Sequence, residues 1–343
     1  MRNMLQTALP DGLPNRFFGC GRRIVDSRGV VLKAAESVTH WCGVMTCGLV
    51  WVCPVCSAKI RAHRMAEVRT VLTGALQAEC SVGFLTLTLR HHRGQKLGDL
   101  LDAGERAWKR LQAHRAWLRL RADFGMRSIV AREITHGFEN GWHPHKHFAL
   151  VMDRMIGSAR AGSIEGEIWP AWLASLRAEG LDALRLPGAY LEMCTDAGGL
   201  AQYLLKVEGL AMELVMSDVR YGKLGHRSPE RIALDMLETG DMSDRPLLVE
   251  HARATKGRRM LTWSRGLREE FLLQPELSDE EAAAADVGGV PVLHFDRRAW
   301  GRLLRVERGD GPLLLQELYE LGGLAHACSW LVRSIGSEGW AVP

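Results

Sequence analysis

Apolar residues recur at three- and four-residue steps between 57 and about 77, at Ile60, Met65, Val68, Val71, Leu72 and Leu76. That spacing predicts one long amphipathic helix. The period then changes. Residues 82–89 are β-rich and partly alternating, which predicts a strand. Helical spacing returns over 97–123, with Leu100, Leu101, Trp108, Leu111 and Leu118 on the buried side. Residues 127–135 and 146–152 read as two strands, and the polar, glycine-containing stretch 136–141 reads as the turn joining them in a hairpin. A helix over 166–178, a short strand over 189–194 and a helix over 199–210 follow. Beyond about 226 the pattern is helical and irregular, and the acidic, alanine-rich stretch 278–286 reads as a linker or exposed helix. The first 35 residues have weak periodicity and predict a loosely ordered lead-in.

Composition narrows the class. Apolar residues make up 47% and charged residues 24% of the 343, the balance of a water-soluble chain with a sizeable core. There is no apolar run long enough to cross a bilayer and no signal-peptide order at the start, so a cytoplasmic protein with no membrane partner is expected. Net charge is only +4, so the local pattern matters more than the sum. Arg106, Lys109, Arg110, Arg115 and Arg119 crowd one predicted helix and are candidate DNA contacts; a solvated helix face is the alternative.

The eight cysteines are unevenly placed. Cys42, Cys47, Cys53 and Cys56 fall within fifteen residues, close enough to converge on one tetrahedral Zn²⁺, and Cys-Pro-Val-Cys is a usual knuckle. The gap between the pairs is shorter than in a zinc ribbon, and His40 or His63 is a possible substitute ligand. Four closed positions make a structural site, since catalysis needs an open one.

Two residue sets carry candidate chemistry. In Trp142-His143-Pro144-His145-Lys146-His147, strand alternation sends His145 and His147 to one face, about 7 Å apart, where two imidazoles can grip one cation. The direction of His143 is open. If the flanking strands form a hairpin, Glu133 lies across from the pair and completes a His-His-Glu set suited to Mn²⁺ or Zn²⁺. An attacking oxygen comes from water or from a side chain. The four tyrosines are Tyr190, Tyr203, Tyr221 and Tyr319, and Tyr203 shares a predicted helical face with Lys206.

In this order the pieces resemble the HUH endonucleases, specifically the Rep_1-like replication initiators of rolling-circle plasmids. Phe84-Leu85-Thr86-Leu87-Thr88 looks like the first motif, the 142–147 run like the second, with Lys146 where an apolar residue is usual, and Tyr203-Leu204-Leu205-Lys206 like the third. The cysteine run, His226-Arg227-Ser228-Pro229 and the stretch 257–267 are also similar. The resemblance implies an α+β fold, a central antiparallel sheet flanked by helices and preceded by a small zinc-binding module. The expected division is a lead-in at 1–35, a four-cysteine zinc module with its long helix at 36–80, a nicking domain at 81–225 and a helical C-terminal region at 226–343.

The resemblance further implies that Tyr203, assisted by Lys206, nicks single-stranded or hairpin plasmid origin DNA with Mn²⁺ or Mg²⁺ bound. A 5′-phosphotyrosine and a free 3′-OH result, with host helicase and polymerase as partners. Tyr190 is the second candidate. Some members carry a glutamate four residues before the tyrosine, where this chain has Gly199. The rival readings are an HUH-class transposase, a zinc hydrolase using water and a non-catalytic zinc-finger DNA binder.

Overall fold

The computed structural model describes residues 13–35, 38–154, 156–193, 226–286 and 288–343. Among these, the strands in chain order are β1 (Val30–Ala35), β2 (Val38–Cys42), β3 (Ser81–Thr88), β4 (Arg127–Gly137), β5 (Gly141–Met152), β6 (Ala189–Met193), β7 (Leu261–Trp263), β8 (Val290–Phe295) and β9 (Trp340–Ala341). They form two antiparallel sheets among helices, an α+β arrangement. Among the described residues no helix is long and apolar enough to cross a membrane. The chain divides into two units, one of Met1–His63, Met236–Arg245 and Leu277–Pro343, the other of Arg64–Asp235 and Pro246–Glu276.

The larger unit is built on the five-stranded sheet β6-β3-β5-β4-β7. β4 and β5 form one continuous hairpin from Arg127↔Val151 to Gly137↔Gly141, closed through Gly141 at φ +73°, a backbone angle that side chains other than glycine's disfavour. β5 therefore starts at Gly141, five residues earlier than its sequence pattern predicts. Pro144 hides that start, because proline removes a ladder donor. It is tolerated because β3 ends opposite His145, so that residues 141–144 have only β4 beside them.

One face of this sheet is covered by helices Leu97–Ala113, Arg115–Phe124 and Ser158–Arg177. Trp108 and Trp117 pack on the fully buried Phe148, with ring centroids 4.8 and 6.4 Å away. The single helix expected over 97–123 is two helices. His114 is extended between them, and its Nδ1 accepts from the Ala116 N–H at 3.2 Å, capping the second.

The smaller unit holds the four-stranded sheet β2-β1-β8-β9. Val30, Leu32, Trp41, Leu293, Phe295 and Trp300 lie in its core, with Trp41 and Trp300 rings 4.9 Å apart. Phe17 and Cys20 are fully buried as well. The described part of the lead-in, residues 13–35, is thus part of a folded core, and the C-terminal region supplies β8 and β9 to this sheet and β7 to the other, as well as helices. β8 escapes the sequence pattern because of Pro291, which sits where the β1–β8 register shifts between Leu32 and Lys33.

Candidate functional site

Alternation along β5 puts His143, His145 and His147 on the face opposite Phe148. Across the hairpin, Glu133 is the register partner of His145 and Ala131 that of His147. The Glu133 carboxylate reaches His147 Nε2 at 2.6 Å. On the other side β3 pairs Thr86 with His147, and the Thr86 hydroxyl lies 3.1 Å from His147 Nδ1. A hydrogen bond on one imidazole nitrogen fixes which nitrogen faces a ligand. Phe84 stacks on the same ring at 5.4 Å. The His145 and His147 rings are parallel at 5.8 Å, and among the described residues His145 Nδ1 is buried without a hydrogen-bond partner.

Two further histidines join this face: His91, which the sequence pattern did not single out, and His226, which it marked only as part of the family-like stretch 226–229. His91, just beyond β3, contacts His143 Nδ1 through its Nε2 and bonds the Asn140 carbonyl at 2.8 Å through its Nδ1. The His226 ring lies 5.1 Å from that of His143. The Arg227↔His136 bridge brings it there. Ser228 then caps the helix Pro229–Thr239, its Oγ accepting from the Arg231 N–H at 3.1 Å, with Pro229 in the first turn. Gly137 leaves the space: a Cβ there would stand 3.0 Å from His226 Cε1.

Burial, then the charges of His91 and His226, push His143 down to about 3. Burial, then His143 and His147, hold His145 well below its ordinary value. These imidazoles are neutral at pH 7, the form that offers a lone pair to a cation. The donor set of Glu133, His145 and His147 therefore suits a divalent metal, although its ligand atoms are more widely spread than those of two other clusters among the described residues.

Lys146 points the other way, into the helix-covered layer. Its ammonium meets Glu105 Oε1 at 2.5 Å, and Arg132 Nε donates to the same oxygen at 2.9 Å. Burial pushes Lys146 down to about 8. Burial also pulls Glu105 upward, but Lys146 and Arg132 outweigh it and hold the carboxyl at about 2. A lysine replaces the usual apolar residue because an acid from the helix Leu97–Ala113 waits for it. Glu105→Gln leaves two buried cations facing each other and is expected to lower unfolding stability by about 3 kcal/mol, whereas Lys146→Met, which leaves Glu105 paired with Arg132, costs less than about 1 kcal/mol. Urea titrations of both variants check the contrast.

The five basic residues stand on the helices of this far layer, away from the histidine face. Arg106 and Arg110 each donate to Glu179 at 2.6 Å, and Arg119 donates to Glu167 at 2.5 Å. Lys109 and Arg115 are exposed.

Four thiols converge in the smaller unit, but the set differs from the one that spacing suggests. Cys20 joins Cys47, Cys53 and Cys56, and Cys42 stands apart. Cys20 Sγ lies 3.4 Å from both Cys53 and Cys56, and Cys47 Sγ lies 3.7 Å from Cys56. A tetrahedron with Zn–S of about 2.3 Å has edges of about 3.8 Å, so the quartet fits that ion. All four are fully buried. Hydrogen bonds from Cys20, Cys47 and Cys53 pull the Cys56 thiol down, while burial and its neighbours hold Cys53 up. Four thiols in a dry pocket do not ionise together without a cation. Cys20 is invisible to a spacing argument because it lies 22 residues before Cys42, and only the fold of the lead-in brings it in.

Tyr203, Lys206, Gly199 and Tyr221 lie outside the described residues. Tyr190 is described. It pairs with Thr86, which pairs with His147, so it shares the histidine face two strands away and is 48% exposed. Tyr319 packs against the core of the smaller unit.

A family model described as "Replication protein" (Rep_1) matches residues 40–177. That stretch holds Glu133, His145, His147, Cys47, Cys53 and Cys56; Cys20 and Tyr203 lie outside it. Over 326 aligned residues the chain is 29% identical to "Protein rep" of Streptomyces lividans, covering 75% of this chain and 70% of that one. It is also 30% identical over 172 residues to "Neomycin resistance protein" of Streptomyces cyanogenus, covering 43% of this chain and 39% of that one. No solved structure matches significantly.

Proposed function

From the premise that this chain is a Rep_1-like replication protein, we propose that it initiates rolling-circle plasmid replication by nicking single-stranded origin DNA on the histidine face of the five-stranded sheet. One observation carries the reading: the β4–β5 hairpin sets Glu133 opposite His145 and against His147. A His-x-His pair on the central strand of an antiparallel sheet supports the HUH reading.

Glu133, His145 and His147 are the residues that would hold the nicking cation, and Cys20, Cys47, Cys53 and Cys56 would hold a structural Zn²⁺. When bound, Mn²⁺ or Mg²⁺ supplies Lewis-acid polarisation of the scissile phosphate and aligns it for in-line attack. Thr86 fixes the His147 ring through Nδ1, which leaves Nε2 and Glu133 facing the substrate side. The Tyr203 hydroxyl, losing its proton, attacks phosphorus. An O–P bond forms to the tyrosine, the P–O3′ bond breaks, and the 3′ oxygen leaves and takes up a proton. Lys206, three positions on in the sequence, would offset charge on the phenolate or phosphate. The phosphotyrosine keeps the energy of the phosphodiester, so the strand rejoins without ATP. The free 3′-OH serves a host polymerase, and a host helicase opens the duplex.

Incubation of the full chain with a single-stranded origin oligonucleotide and Mn²⁺ tests the proposal. The expected product is a covalent protein–DNA adduct that resists boiling in detergent and is lost in Tyr203→Phe. Cleavage without an adduct assigns the attack to water, and binding without cleavage reduces the chain to a DNA-binding protein.

A further inference from the structure

The thiol that spacing assigned to the quartet has another setting. β2 alternates so that His40 and Cys42 share one face while Trp41 enters the core. Lys33 is the register partner of His40 on β1 and shares that face. Asp286, just beyond the helix Asp279–Ala284, reaches the same place. Lys33 Nζ binds Asp286 Oδ2 at 2.5 Å, and the other oxygen, Oδ1, lies 3.9 Å from His40 Nε2 and 4.0 Å from Cys42 Sγ. The ligand atoms of His40, Cys42 and Asp286 all lie within 4.8 Å of one another.

His40 is 2% exposed, and among the described residues neither ring nitrogen has a hydrogen-bond partner. A buried imidazole in that state is costly unless something binds it. Tetrahedral zinc bound by one sulfur, one nitrogen and one oxygen has ligand edges of roughly 3.3–3.6 Å. The 3.9 and 4.0 Å separations from Asp286 Oδ1 exceed those edges by a few tenths of an ångström.

We propose that His40, Cys42 and Asp286 form a second transition-metal site of zinc class, separate from the four-cysteine cluster, with a fourth position open to an anionic ligand. Imidazole, thiolate and carboxylate together match zinc or cobalt and not the hard, oxygen-seeking Mg²⁺ or Ca²⁺. The open position follows from the surroundings. Cys42 and Asp286 line a cavity of about 1140 Å³ whose wall also carries Lys59, Lys33, Arg28 and His294. Thiolate and carboxylate cancel the two charges of the ion, and the ammonium groups of Lys33 and Lys59 leave the site positive. A small oxyanion such as phosphate meets both the ion and that charge. Three protein ligands and one exchangeable position make a reactive or ligand-binding zinc, in contrast to the closed quartet.

Metal counting tests this. The full chain is equilibrated with Zn²⁺, freed of excess and assayed for bound metal. Besides any ion taken by the histidine face, two ions per chain are expected, one of them lost in Cys42→Ser and in Asp286→Asn, while Cys20→Ser, by unfolding the smaller unit that carries both sites, loses both. Asp286 is exposed, so Asp286→Asn keeps the count readable if Cys42→Ser does not fold. With Co²⁺ in place of zinc, inorganic phosphate is expected to shift the visible absorption bands of the wild type and not those of Asp286→Asn. An ion count unchanged by Cys42→Ser and Asp286→Asn would overturn the site. Cobalt bands indifferent to phosphate would overturn the open position.

Discussion

His147→Ala is expected to lower the rate of origin nicking by about 10²–10³-fold, the scale of losing one group that stabilises charge developing in a transition state. The ring is the centre of the proposed site. It is 7% exposed, bonded on one side to Thr86 and on the other to Glu133, and stacked on Phe84. Alanine removes a ligand and also releases the Glu133 carboxylate from its partner. Thr86→Val, which keeps the imidazole and removes its orienting hydroxyl, is expected to lose only about 10–100-fold, with metal affinity falling in step. Single-turnover cleavage at saturating Mn²⁺ separates the two: added metal restores much of the Thr86→Val rate and little of the His147→Ala rate.

The second large effect concerns the fold. Cys53→Ser or Cys56→Ser is expected to unfold the smaller unit at neutral pH, and a strong chelator is expected to do the same to the wild type. Structural zinc bound by such ligands contributes on the order of 10–16 kcal/mol. A whole domain is stable by only about 5–15 kcal/mol, so losing the ion leaves little or nothing. Cys328→Ser supplies the contrast, because that thiol is only half-buried and stands outside both clusters; it is expected to change stability by less than about 1 kcal/mol. Limited proteolysis reads the difference as early cutting of the smaller unit in the quartet variants alone.

What the sequence made legible was local. Period-two alternation placed His145 and His147 together, and the composition of the turn joined β4 to β5 and so brought Glu133 across. The long helix after Cys53 followed from its apolar steps and begins at Pro54. What stayed hidden depends on contacts between distant residues. His91 and His226 reach the site from distant points along the larger unit, one just past β3 and one through a bridge to His136. Cys20 displaces Cys42 because the lead-in folds, although nothing in its periodicity says so. β8 and the first five residues of β5 were masked by Pro291 and Pro144, each lying where the ladder is interrupted or one-sided. Lys146 looked like a misfit in its motif and is instead half of a buried pair with Glu105.

The nucleophile rests on resemblance, with Tyr190 as the competing phenol on the histidine face. The measurement that tests the account most directly is a mass map of the peptide left attached to cleaved origin DNA. Recovery of the peptide carrying Tyr203 with a 5′-phosphodeoxynucleotide on its phenolic oxygen is the predicted result. The same adduct on Tyr190, or a cleaved strand with no peptide attached, would contradict it.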